Sequence, residues 1–173
     1  MVTENISGPI DCACVIHGDG YTWEYVERLH SMLSRHISVG VRMHVYTEAD
    51  RPVPEPYIKH SLVDLGVSGP KRSWWYKMQL FNSELHQGPL LYFDLDVVIT
   101  KNIDWICRLP TDYFWGVRDF KYLWRPHHTG INSSIMRWDT RRYDWVWRDF
   151  NLYPVEKFIS KYQGDQDYIT DII

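Results

Sequence analysis

Two carboxylates stand one residue apart inside an apolar run, Leu90-Leu91-Tyr92-Phe93-Asp94-Leu95-Asp96-Val97-Val98-Ile99. In a strand, residues i and i+2 project from one face, so Asp94 and Asp96 are expected side by side, with Leu95 turned into the opposite layer. Two adjacent anions in an apolar setting are costly unless a cation neutralises them. A hard divalent cation suits the task, since magnesium and manganese take carboxylate, phosphate and water oxygens. Ligands of open α/β sheets gather at the carboxyl ends of the strands, where this run ends. The residues point to a metal–phosphate site at a strand end. A bare Asp-x-Asp is also common as a pair of solvated loop carboxylates, and the apolar flanks set this copy apart.

Further residues could join such a site. Lys77 lies just before the Asp94 strand, where it either reaches an anion bound at the same sheet edge or stays a solvated surface lysine. His17-Gly18-Asp19-Gly20 follows an apolar strand as a glycine turn opening onto a helix, which is how nucleotide-binding α/β units begin, although a plain turn fits equally. In Gly130-Ile131-Asn132-Ser133-Ser134-Ile135-Met136, small polar residues allow close backbone approach to a ligand and supply short hydrogen bonds. Asp165-Gln166-Asp167 precedes an apolar helical stretch, and the plain reading of Asp165 is a helix N-cap.

The elements that must position these residues follow from periodicity. Strands are expected at 10–16, 41–47, 58–65, 90–99 and 113–117. Helices are expected over 22–37, with Val26, Leu29, Leu33 and Ile37 buried, and from Ser73, with Trp74, Met78, Phe81 and Leu85 as the stripe. Further helices follow Asp139, Pro154 and Asp165. The Pro-rich stretch 51–56 and the segment 66–71 read as loops, and residues 1–9 as a loose end. The basic, aromatic stretch 118–128 either binds an acceptor or covers the surface.

Composition sets outer limits. A chain of 173 residues is enough for one domain with its own core. Its net charge of −3 offers no electrostatic case for nucleic acid. Three cysteines make neither a disulfide framework nor a zinc pattern, and Cys12 and Cys14 are expected on one strand face as small core residues. Neither an N-terminal signal segment nor a transmembrane run is evident, so the expected compartment is the cytoplasm.

Taken together, the motifs resemble those of nucleotide-sugar glycosyltransferases with the GT-A fold, and of the family 8-like group among them. Tyr92-Phe93-Asp94-Leu95-Asp96 looks like the group's Asp-x-Asp motif, and Asn132-Ser133-Ser134 is similar to its Asn-Ser/Ala-Gly segment, with Ser134 where Gly is frequent. Asp165-Gln166-Asp167 matches its Asp-Gln-Asp, and Trp75-Tyr76-Lys77-Met78-Gln79-Leu80-Phe81 resembles its Lys-x-x-x-Phe stretch. The resemblance implies a three-layer α/β sandwich with a mostly parallel central sheet. It implies transfer of a sugar from a nucleotide-diphosphate donor, a UDP-sugar favoured, to a glycan or other hydroxyl acceptor, with retention. Asp94 and Asp96 would hold manganese or magnesium, Asp96 as the direct ligand and Asp94 also at the ribose. His17 and Gly18 would lie near the base, and Lys77 near the sugar or phosphate. Asn132 and Ser133 would line the sugar pocket, Asp165 would bind sugar hydroxyls, and Gln166 would stand beside the anomeric carbon.

The family pattern closes with a His-x-x-Gly-x-x-Lys-Pro segment whose His completes the metal site. Residues 1–173 are therefore expected to be a single catalytic domain lacking its C-terminal segment. Two rival readings are a metal-dependent phosphohydrolase, also built on strand-end carboxylates, and a non-catalytic module that binds nucleotide sugars.

Overall fold

Side-chain alternation along β1 (Ile10–Val15) supplies both faces of the sheet at once. Cys12 and Cys14 enter one core with Met43, Val45, Leu91 and Phe93, while Ala13 enters the other with Tyr46, Leu90 and Tyr92. Strands buried on both faces need such continuous apolar runs. The computed structural model describes residues 8–67 and 72–173, so most of the expected loop 66–71 and most of the stretch 1–9 lie outside the described residues.

The sheet has six strands: β1, β2 (Val41–Thr47), β3 (Ile58–Ser61), β4 (Pro89–Phe93), β5 (Trp115–Arg118) and β6 (Ile131–Asp139). Their spatial order is β3-β2-β1-β4-β6-β5. The pairs β1–β2, β2–β3 and β1–β4 are parallel, and β6 runs antiparallel to both β4 and β5. The expected α/β class with a mostly parallel sheet is what the chain forms. Helix α1 (Trp23–His36) packs Val26, Leu29 and Leu33 against one face, joined by Cys107 of the short α2 (Asp104–Cys107). On the other face lie a 3₁₀ helix (Ser73–Phe81), α3 (Thr140–Asn151), α4 (Val155–Lys161) and α5 (Asp165–Ile172). Helices on both faces of one sheet make three layers. No helix among the described residues is long and apolar enough to cross a membrane.

Several boundaries differ from the periodic expectation. The segment from Ser73 is a 3₁₀ helix rather than an α-helix, and its residues from Trp75 to Phe81 are all buried. A repeat of three per turn eclipses residues i and i+3, so Trp75, Met78 and Phe81 share one line instead of the predicted stripe. Trp74 is consequently 43% exposed. The stretch that begins at Gly130 has no strand pattern at its centre, yet residues 131–139 form β6: 135–139 pair with β4, while Ile131, Asn132, Met136 and Arg137 pair with β5 across a register shift. Capping by Asp139 holds as expected: its carboxylate accepts from the Arg141 N–H at 2.9 Å.

Candidate active site

The reversed strand β6 brings its start, rather than its end, to the edge where β1 and β4 finish. A pocket of about 410 Å³ opens there. Its wall holds Val15 at the end of β1 and His17 after it, Asp94 and Asp96 after β4, and Ser133 and Ser134 from β6. Trp74 and Lys77 of the 3₁₀ helix and residues 163–167 at the start of α5 close it.

Asp94 and Asp96 do not project from a strand. β4 ends at Phe93, and the chain then turns back, with the Val97 N–H donating to the Asp94 carbonyl at 3.2 Å. The Asp94 N–H donates to the Ser134 carbonyl at 2.8 Å, which fixes this turn to the last rung between β4 and β6. Asp96 is exposed and accepts from the Tyr21 hydroxyl at 3.2 Å. Tyr21 is held above its usual pKa by burial and by the Asp96 carboxylate, so it serves as a donor there.

Lys77 is not the solvated lysine of the bland alternative. It is 9% exposed, and its Nζ lies 2.8 Å from Asp94 Oδ1 and 3.6 Å from Asp165 Oδ2. Tyr92 donates to the same Asp94 oxygen at 2.5 Å. The cation expected to neutralise the Asp94 charge is thus supplied by the fold itself. Burial acts against the Lys77 charge, but the two carboxylates hold its pKa above the ordinary lysine value. Asp165 shows the opposite balance: burial raises its pKa, and Lys77 and the Ser133 hydroxyl offset only part of the rise.

Asp165 is not the helix cap. Gly164 occupies the N-cap position, and Asp165 is the first residue of α5, 3% exposed. Its Oδ2 accepts from Ser133 Oγ at 2.7 Å. Gly164 also meets the indole of Trp74 so closely that a Cβ there would lie 3.2 Å from Trp74 Cε3. The three-per-turn repeat explains why Trp74 and Lys77, i and i+3, face the pocket together.

Of the other predicted residues, His17 lines the pocket and stacks on Tyr76 at 3.6 Å between ring centroids. Gly18 lies outside the lining, in the left-handed region at φ 66°, held by Glu48 Oε1 at its N–H (2.5 Å) and Arg51 Nη2 at its carbonyl (2.7 Å). Asn132 is also outside the lining and accepts from the Ser134 N–H at 3.0 Å. Gln166 faces the pocket and donates to Asp119 Oδ2 at 3.3 Å. That Asp119 oxygen also meets His128 Nε2 at 3.0 Å and Lys121 Nζ at 3.3 Å. Burial alone would raise the Asp119 pKa, but the Lys121 backbone N–H, His128 and the Lys121 ammonium bring it below the usual carboxylate value. Tyr21, Trp74, Lys121 and Gln163 are pocket residues that periodicity could not identify. Lys121 comes from the basic, aromatic stretch 118–128.

Asp96 offers carboxylate oxygens, the right chemistry for a hard cation, whereas Asp94 Oδ1 already holds Lys77 and Tyr92. Among the described residues, the one set of three His, Cys, Asp or Glu ligands drawn together lies away from this pocket, at Asp11, His44 and His86.

No protein-family model matches the chain, and no curated protein sequence does. Solved structures share its fold. The glycosyltransferase GlyE of Streptococcus pneumoniae TIGR4 superposes with a TM-score of 0.67 at 13% identity, over 96% of this chain and 43% of that one. Its apo form superposes with a TM-score of 0.63 at 14% identity, over 91% and 41%. The bifunctional glycosyltransferase WbbM, in an apo structure, gives 0.53 at 10% identity, over 94% and 37%. The chain therefore has the fold of these enzymes and spans less than half the length of each.

Proposed function

We propose that this chain is the nucleotide-sugar-binding part of a metal-dependent glycosyltransferase of the GT-A, family 8-like kind. The observation that carries this reading is the convergence of Lys77, Asp94, Ser133 and Asp165, from four separate segments, on one pocket at the carboxyl edge of a parallel sheet. A nucleotide-diphosphate sugar has parts that match each element of the pocket. His17 and the Tyr76 ring beneath it offer a stacking face for a base. Asp96 faces open pocket and, with diphosphate and water oxygens, would hold manganese or magnesium. That cation, when bound, supplies Lewis-acid stabilisation of the leaving diphosphate.

The chain's own groups supply the rest. Lys77 is pre-oriented by two carboxylates, so its ammonium meets donor oxygens with little reorganisation. Asp165 and Ser133 offer acceptor oxygens for sugar hydroxyls, the Ser133 proton being already given to Asp165. Gln166 is steadied by Asp119 and presents its amide beside the reacting carbon. In the transfer, the acceptor hydroxyl oxygen bonds to the anomeric carbon as the bond from that carbon to the diphosphate oxygen breaks. The hydroxyl proton passes to the departing diphosphate, which suits retention because no carboxylate base is then required on the opposite face.

The test is incubation of the full chain with a panel of nucleotide-diphosphate sugars, UDP-sugars first, plus manganese and mixed hydroxyl acceptors. Metal-dependent release of nucleoside diphosphate with glycosylation of an acceptor supports the reading. Phosphate release from simple esters would replace it with a phosphohydrolase. Tight donor binding without turnover would leave a binding module.

A further inference from the structure

Asp11, His44 and His86 come from three separate segments, β1, β2 and the turn before β4, and one ligating atom of each lies within 4.8 Å of the other two. They sit away from the pocket, near where β1 and β4 begin. His44 is 5% exposed, and the Asp11 side chain 15%. His44 Nε2 approaches Asp11 Oδ1 at 3.0 Å, and its ring lies edge-on to His86 with centroids 4.8 Å apart. We infer that Asp11, His44 and His86 form a binding site for a borderline divalent transition metal, zinc foremost, distinct from the hard-cation position at Asp96.

Ligand chemistry separates the two positions. Two imidazoles and one carboxylate select zinc, cobalt or nickel over magnesium and calcium, which prefer oxygen throughout. Bonds of about 2.0–2.2 Å in a tetrahedral site place ligand atoms roughly 3.3–3.5 Å apart. The His44–Asp11 pair would open by a few tenths of an ångström, and the partly exposed His86 would close in.

The surroundings fit a metal-bound imidazole. His44 turns Nδ1 toward His60 Nε2 at 2.8 Å, the orienting contact that a ligating histidine makes with its second nitrogen. Leu85 supplies a backbone hydrogen bond to His60, so this orienting residue is itself anchored. Arg42 meets both Asp11 oxygens, at 2.6 and 2.7 Å, and sets the carboxylate rotamer. Because Arg42 is half exposed, it can keep Oδ2 while a metal takes Oδ1. His86 has a long contact of 3.4 Å to the Pro89 carbonyl and retains freedom to rotate. Three protein ligands leave a fourth position for water, and the site would tie β1, β2 and the segment leading into β4 together.

Zinc chloride is the probe, titrated into the full chain after removal of metal by chelator dialysis, in competition with a chromophoric chelator. The wild type and Asp96→Asn should each take up one zinc at this site with the same affinity. His86→Ala and Asp11→Asn should lose at least about tenfold, and His60→Ala about 10–100-fold, the range for loss of an orienting partner. At a hundredfold excess over Kd, zinc should raise the wild-type Tm by about 5–10 °C, and this rise should vanish in His86→Ala. Circular dichroism of each metal-free variant checks the fold. If Asp11→Asn unfolds, His86→Ala decides, since His86 is only partly buried. Unchanged zinc affinity in His86→Ala overturns the site, as does loss of zinc binding in Asp96→Asn.

Discussion

The Lys77 ammonium, itself nearly buried, stands 2.8 Å from the partly exposed Asp94 carboxylate at the pocket floor. Removing one member of a buried ion pair costs about 3–5 kcal/mol, because the remaining charges lose their partner. Lys77→Met should therefore lower stability by about that amount near neutral pH, as read by urea unfolding. Without the lysine, buried Asp165 is driven further toward its protonated form, and a folded-state pKa raised above the unfolded one contributes stability at low pH that is lost as pH rises. The deficit should be smaller at about pH 5 than at about pH 8. Adding Asp165→Asn should restore part of the loss, and strict additivity of the two changes would refute the coupling.

Asp96 is exposed, and among the described residues its side chain engages the Tyr21 hydroxyl alone. Asp96→Asn should leave stability within about 0.5 kcal/mol. Calorimetric binding of a nucleoside diphosphate in the presence of manganese should weaken about tenfold or more, since the carboxylate charge that would hold the cation is lost. Unchanged affinity would mean that the hard cation is held elsewhere.

Gln166 contacts Asp119 rather than any group assigned to the nucleotide. Gln166→Ala should lower kcat while nucleoside diphosphate affinity stays constant. Equal loss in both would give Gln166 a binding role instead.

Gly164 lies under the Trp74 ring, so Gly164→Ala places a methyl 3.2 Å from Trp74 Cε3 and moves the indole by a few tenths of an ångström. The expected outcome is weaker donor binding together with a stability loss of about 1 kcal/mol, measured by titration and melting of the same preparation. Normal affinity would show that Trp74 is a bystander.

Glu48 secures the Gly18 turn and Arg51. Burial would raise its pKa, but the Arg51 contact and the Gly18 N–H bring it from 4.5 down to about 2. With the folded value depressed, its contribution is present above about pH 4.5 and disappears as pH falls toward about 2. Glu48→Gln should flatten the acid limb of the stability curve within that window and leave its slope near neutrality unchanged.

The sheet was largely legible from periodicity, because strands such as Val41–Thr47 and helices such as Trp23–His36 carry patterns that local rules read directly. β6 was not, since its polar start at Asn132, Ser133 and Ser134 lies before the β4 ladder, which begins at Ile135, and spans a shift of register against β5. The 3₁₀ period was equally invisible, and with it the pairing of Trp74 with Lys77 at the pocket. Asp165 reads locally as a cap. Only tertiary packing reveals that Gly164 takes that position, which frees the carboxylate for Lys77 and Ser133. The cluster of Asp11, His44 and His86 had no spacing signal, because its members meet through strand register and a turn.

Among the described residues, the pocket wall carries four carboxylates, Asp94, Asp96, Asp165 and Asp167, against two ammonium groups, Lys77 and Lys121. A free diphosphate entering such a wall climbs a gradient of like charge, since the Lys77 charge is already shared with Asp94 and Asp165. The order of arrival is then constrained: the divalent cation precedes the anion or travels with it. Association of the metal-free donor should accelerate as inert salt screens the wall, the reverse of ordinary electrostatic steering. With saturating cation, that salt dependence should flatten or change sign.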